Sequence, residues 1–371
     1  MNSPWNTSVL LVLRAAMLVI VTGCGIATNT NSPKPVSTGA TSSDKTVAPD
    51  GLQLGYIWQA DSRNLYPVLG VSGAAHYGGP ALGSDATVVA AAATTSPSSS
   101  WALVLHKDGT LVQWSFPAAN AATLAAGVAT DSAIRFSPSG TCAVLVSGST
   151  LNAVVITGLP SKPLVASLKL PAGFSIDKFA VSDGGSILAG LTQAGAAGIQ
   201  YGVLSEMHSF NVIGTIQAWG GAAFLPGPAG DAAVIADGQS GSLTLASNLT
   251  GTSSSLAPLG GNGVLQKPVA VAVSADGKWA YAADSAKPQV VRVSLGASGP
   301  QPSSIACACK PQQLAPLTTD GIYSLTAGAQ GQPAWILDTR IAEPRAFFVP
   351  ALPGSIASSD SNVKSQNGAA Q

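Results

Sequence analysis

The sequence predicts an all-β fold, a β-propeller of seven blades with one incomplete, six being the alternative count. Three observations carry this. A short motif returns about every 45 residues: Ser137-Pro138-Ser139-Gly140, Ser182-Asp183-Gly184-Gly185, Gly227-Pro228-Ala229-Gly230, Ser274-Ala275-Asp276-Gly277 and Thr318-Thr319-Asp320-Gly321. The closing glycines stand at 140, 185, 230, 277 and 321, so the intervals are 45, 45, 47 and 44 residues. Each motif is flanked by short apolar runs, and no helical periodicity lies between them. A period of this size marks an array of like units, and four strands per 40–45 residues is the length of a propeller blade. A solenoid period is usually shorter, and a pair of β-sandwiches would not repeat this regularly.

One period shows why strands form. Val269-Ala-Val-Ala-Val273 is followed by the turn Ser274–Gly277, then by Lys278-Trp-Ala-Tyr-Ala-Ala283, a turn at Lys287-Pro288, and Val290-Val-Arg-Val-Ser-Leu295. β-Branched and aromatic residues fill the runs, and Gly, Pro and Asp separate them. The Asp-Gly step supplies the positive φ of a tight hairpin. A fourth run, Ser303 to Cys309, completes the unit as four antiparallel strands. This blade resembles the YVTN-type and WD-repeat-like propeller blade, which reads strand, Ser-Pro-Asp-Gly, strand, turn, strand. Ile134-Arg-Phe-Ser-Pro-Ser-Gly140 is similar. The resemblance spans roughly residues 55–352 and implies the fold, not a subfamily, because the Gly-His and Trp-Asp signatures of WD repeats are absent.

The blades are expected at 87–128 and then from Ser132, Asp177, Gly221, Pro268 and Gln312 onward. Residues 52–72 resemble only the last two strands of a blade and mark the expected site of ring closure. The propeller is therefore assigned to residues 51–355, and a polar tail to 356–371.

Ahead of the propeller, Arg14 is the only charged side chain before Cys24, and an apolar stretch, Ala15 to Val21, follows it. Val21-Thr22-Gly23-Cys24 resembles the bacterial lipobox. The resemblance implies a signal peptide over residues 1–23, cleavage before Cys24, and lipidation of Cys24 as a palmitate-type membrane anchor. Several acyl chains hold a protein firmly at a membrane, where one holds it marginally. With Gly25 and no Asp after the Cys, the implied address is the outer membrane or the cell surface. Residues 24–50, rich in Ser, Thr, Asn and Pro, read as a flexible tether.

Composition excludes some partners. Charged residues make up 9% of the chain and the formal net charge is +0, against roughly 25% charged residues in ordinary soluble domains. Nucleic acid needs clustered Lys and Arg, so no nucleic-acid partner is expected. The sequence has no Gly-x-Ser-x-Gly, no His-Glu-x-x-His, no phosphate loop and no EF-hand loop. No metal and no cofactor is implied, and no catalytic residue is singled out.

Cys307 and Cys309 sit two apart on a presumed outer strand. Their Cα atoms would be about 6.5–7 Å apart if fully extended, at the edge of disulfide geometry, so a bond would need a bulge. A local disulfide, two buried thiols and a redox or metal role all stay open. Cys142 reads as a small core residue. Trp58, Trp114 and Trp335 are expected in third strands and Trp101 and Trp279 in second strands. Trp219 is expected in a loop, as the most exposed of them.

Innermost strands line a propeller's channel. Near their starts stand Asp85, Asp131 and Asp177 in consecutive blades, with Lys267 and Lys310 two and three blades later. An acidic arc facing a basic one at the channel mouth would bind a ligand of both charges. Solvated loop charges are the plainer account of the same five residues. Three functional classes follow: a non-catalytic binding module for an envelope protein, peptide or glycan; a propeller enzyme such as a lactone hydrolase or quinone-dependent dehydrogenase; or a scaffold subunit of an envelope assembly.

Overall fold

The computed structural model describes residues 52–351, except positions 84, 97, 119, 177, 194, 206–208, 228–229, 252, 261–262, 297–298, 300 and 327–331. The signal peptide, Cys24, the tether, the tail at 356–371 and Asp177 lie outside the described residues. Within them, every regular element is a strand, and the strands form seven antiparallel sheets made of consecutive segments. Six sheets have four strands and the first has three.

Blade 1 comprises Gln53–Gln59, Asn64–Val71 and Ala74–Tyr77. The first strands of blades 2 to 7 are Val88–Ser96, Ala133–Phe136, Ala180–Val181, Trp219–Phe224, Pro268–Val273 and Ala315–Pro316. These starts fall within three residues of those expected from the sequence. The Ser-Pro-Asp-Gly motifs form the turn between first and second strands, with Gly140 at φ 74° and Gly277 at φ 68°.

The second strand of each full blade is buried almost throughout, as Cys142–Ser147 and Trp279–Asp284 show. It is sandwiched between two neighbouring blades, so it must be apolar on both faces. The core is accordingly not one mass but seven apolar layers, one between each pair of adjacent blades. Cys142 belongs to the layer between blades 3 and 4. The layer between blades 7 and 1 joins Leu54, Ile57 and Val68 to Ile322, Ile336 and Phe347. The ring thus closes by packing between blade 7 and the three-stranded blade 1, with no strand exchanged, and the Thr319 N–H of blade 7 donates to the Thr95 carbonyl of blade 2 at 2.9 Å.

Blade 1 presents the second, third and fourth strands of a blade. Its last hairpin turn lies beside the last hairpin turn of blade 7: Ser72 Oγ bonds to Asp338, and Arg345 donates to the Ser72 carbonyl at 3.3 Å. Residues 52–72 therefore hold the second and third strands, and Ala74–Tyr77 is the fourth. Trp58 moves with this correction from a third strand to a second. The long first strand of blade 2 packs against Gln53–Gln59.

Close approach at the closure depends on Gly55. Its φ is +117°, and a Cβ there would sit 2.6 Å from Leu317 Cβ. Gly73 has φ +93° but open space around it. Gly73→Ala should lose about 1–2 kcal/mol from backbone strain alone. Gly55→Ala should lose clearly more, because blades 1 and 7 must also part. Guanidinium unfolding of both variants checks this; equal losses would show that the closure yields freely.

Candidate functional site

The inner strands enclose a channel cavity of about 370 Å³ walled by blades 3 to 7. Its lining is largely Ala, Val, Gly and backbone, with Phe136, Phe179, Phe224 and Tyr323 at the sides. Small residues let the strands crowd together. At Gly220 a Cβ would lie 3.0 Å from the Pro268 carbonyl oxygen, and at Gly221 3.3 Å from Ala270 Cα. Tyr323 is fixed by donating its hydroxyl to the Val273 carbonyl at 2.8 Å. Burial pushes its phenol well above the usual range, so it stays protonated and keeps that bond. Among the described residues, the charged side chains of the wall are Arg135 and Lys178. Lys178 Nζ donates to the Trp219 carbonyl at 3.4 Å.

Asp85, Asp131, Lys267 and Lys310 stand at the starts of inner strands but outside this wall. The two acids are held by their own loops. Asp85 accepts from the Thr87 backbone at 2.8 Å and its hydroxyl at 2.6 Å, and stands 3.6 Å from His106. Asp131 accepts from Ser147 Oγ at 2.7 Å and the Ser149 backbone at 3.0 Å. Lys267 and Lys310 are exposed. Neither described acid lines the cavity, and each is bonded to neighbours within its own blade.

These bonds belong to a recurring brace that the sequence reading missed. In blade 6, buried Asp284 ends the second strand and accepts from the backbones of Gln266, Lys267 and Ala286 at 2.9–3.1 Å. In blade 5, buried Asp237 does the same for Ala218 and Gln239, at 3.1 and 3.0 Å. In blades 2 and 3 the acid sits on the other side of the brace, as Asp85 opposite His106 and Asp131 opposite Ser147. The signal was available as an acid closing an apolar run, Ile235-Ala236-Asp237 and Ala282-Ala283-Asp284. A second device staples blades together: Asp183, in the repeat turn of blade 4, accepts from Ser139 of blade 3 and from the Gly227 backbone of blade 5.

Burial of Asp237 and Asp284 opposes their charge, but the converging N–H donors outweigh it and hold both carboxyls below the usual range. Hydrogen bonds from Thr87 do the same for Asp85 and from Ser147 for Asp131. Carboxylates held this way stay ionised and are poor proton donors near neutrality.

Cys307 and Cys309 are bonded to each other with Cα atoms 5.1 Å apart. The fourth strand ends at Ala306, so the pair sits in the turn beyond it rather than on the outer strand. The turn brings the two Cα atoms closer than an extended strand would. Trp219 is not a loop residue: it opens the first strand of blade 5, is buried, stacks on Tyr201 and donates its indole N–H to the Lys178 carbonyl. Trp101 and Trp279 lie in second strands, and Trp114 and Trp335 in third strands.

Sheet topology, the seven interblade layers and the channel define a seven-bladed β-propeller. Among solved structures, one aligns over most of this chain with a TM-score above 0.5. A functionally unknown protein from Desulfotomaculum acetoxidans DSM 771 aligns with a TM-score of 0.51 at 16% identity, over 80% of this chain and 99% of that one. Hydrazine synthase of Kuenenia stuttgartiensis aligns with a TM-score of 0.45 at 12% identity, over 84% and 99%. No family model matches the chain, and no curated protein matches it.

Two outcomes follow from the braces. The Asp237 and Asp284 carboxyls titrate lower in the fold than in the open chain, where a carboxyl titrates near about 3.9. Their stabilisation is therefore full above about pH 5 and is lost as pH falls through the lowered values. Asp284→Asn should cost roughly 1–3 kcal/mol at pH 7, since the amide keeps one oxygen for the Lys267 and Ala286 N–H groups but sets its own NH2 against that of Gln266 and loses the charge, and should flatten the acid limb of stability against pH. Thermal unfolding from pH 7 to 2.5 measures both; an unchanged acid limb would remove Asp284 from this role. Asp183→Ala should lose about 1–2 kcal/mol and raise protease cleavage at the turns near Ser139 and Gly227. No change in either would mean the staple carries no load.

Proposed function

We propose that this protein is a lipid-anchored propeller of the cell envelope that binds a partner without transforming it. Cys24 carries the anchor and residues 24–50 the tether, at the outer membrane or cell surface. The channel is the binding site, and a peptide segment of an envelope protein is the occupant it suits. The single observation that carries the reading is the wall of the roughly 370 Å³ cavity: small apolar side chains for the most part, with Arg135 and Lys178 as its charged groups among the described residues. An extended peptide offers matching apolar groups and backbone hydrogen bonds. The volume lies within the range of small-ligand sites, about 300–1,000 Å³.

The anchor is tested with an alkyne-palmitate label in the native host. Wild type should take up label and sediment with membranes, and Cys24→Ser should do neither; equal labelling of both would overturn the anchor. The channel is tested by Ala222→Phe, which fills it. Crosslinking from membranes should yield a stoichiometric partner with wild type and lose it with the folded variant. A partner retained by Ala222→Phe places the contact elsewhere, and a metal or organic cofactor that copurifies stoichiometrically would favour an enzyme.

A further inference from the structure

A second cavity of about 350 Å³ opens between blades 6 and 7, at the face carrying the repeat turns. It is chemically unlike the channel. Trp279, partly exposed, gives it aromatic surface over the buried Tyr281, and Asp276, Asp320 and Arg292 give it polar groups. Arg292 lies with its guanidinium carbon 4.3 Å from the Trp279 ring centre, and its Nε donates to Ser303 at 3.3 Å. The guanidinium is therefore oriented before any guest arrives. Asp276 is held by Ser274 Oγ at 2.6 Å and by the Lys278 backbone at 3.1 Å.

Asp276 pairs with Lys278 at 3.4 Å, Asp320 with Arg340 at 3.7 Å, and Arg340 also with Asp338 at 3.0 Å. Both carboxylates that line the cleft, Asp276 and Asp320, are thus already paired with a cation. A charged guest gains no field from such a set, and an apolar guest would strand its polar groups. The guest that fits is neutral, rich in paired donors and acceptors, and apolar on one face so that it lies against aromatic rings. We propose that this cleft binds one or two rings of a neutral glycan, with Asp276, Asp320 and Arg292 bonding its hydroxyls against Trp279. The cleft borders the channel at Ala275, which lines both, while Asp276, Trp279, Arg292 and Asp320 line the cleft alone.

Three neutral tetrasaccharides serve as probes: cellotetraose, maltotetraose and tetra-N-acetylchitotetraose, with a galacturonate oligomer and tetralysine as charged controls. Calorimetry or NMR titration of the full chain should find at least one neutral probe binding with a millimolar or tighter Kd. Affinity should fall at least tenfold in Trp279→Ala. If that variant misfolds, Asp276→Asn and Asp320→Ala alter exposed carboxylates and should show the same loss in a folded protein. Ala222→Phe, which fills the channel, should leave sugar binding unchanged, so a failure of the channel reading and of this one are told apart. The proposal is overturned if no neutral probe binds at about 10 mM, if binding survives the cleft variants, or if a charged control binds there instead.

Discussion

Everything in this molecule depends on the second strand of each blade being pressed between two neighbouring blades. Cys142–Ser147 is buried along its whole length, and Trp279–Asp284 nearly so. Side chains alternate across a strand, so odd and even positions serve different neighbours. In blade 3, Val144 and Val146 pack toward blade 4 while Ala143 and Leu145 pack toward blade 2. Each blade is half of two cores, and none has a core of its own. The ring must close for the end blades to be covered, which is why the layer joining Leu54 and Val68 to Ile336 and Phe347 matters as much as any interior one.

The same constraint decides where polarity goes. A strand buried on both faces accepts a charge only at its ends, and there only if the charge is fully bonded. Asp237 and Asp284 stand at such ends and gather the N–H groups of the incoming inner strand and the outgoing turn. With few charges in the chain, many are committed to this architecture. The two cavities then differ by position. The channel is lined by first strands, short and small in side chain. The cleft between blades 6 and 7 lies where turns and loops of two blades meet, and there paired charges and aromatic edges come together.

Much of the fold was legible. The Gly140-to-Gly321 spacing located five first strands to within three residues, because a repeated unit must place the same turn chemistry at the same point. Residues 52–72 were legible as an incomplete blade, but a third strand, Ala74–Tyr77, escaped notice; it is four residues long and bracketed by glycines. Trp219 was misplaced because Gly220 and Gly221 after it read as loop. In the fold those glycines belong to a strand that approaches its neighbour too closely for any side chain. The sequence places Asp85 and Asp131 along the chain but does not show what they bond to. Asp131 accepts from Ser147, sixteen residues away at the end of the second strand.

By itself the sequence determined the period, the strand type and the hairpin turns, while the choice of seven blades over six came from the closed ring. Those are local properties: alternation, β-branching and a glycine where φ is positive. The tertiary structure alone decided what the recurring motif does beyond turning the chain. Asp183 sits in that motif as a turn residue, yet its carboxylate reaches turns about 44 residues away on either side and ties three blades together. The ring closure and the cleft between blades 6 and 7 are of the same kind. Each needs residues from different blades, and only the closed ring sets those distances.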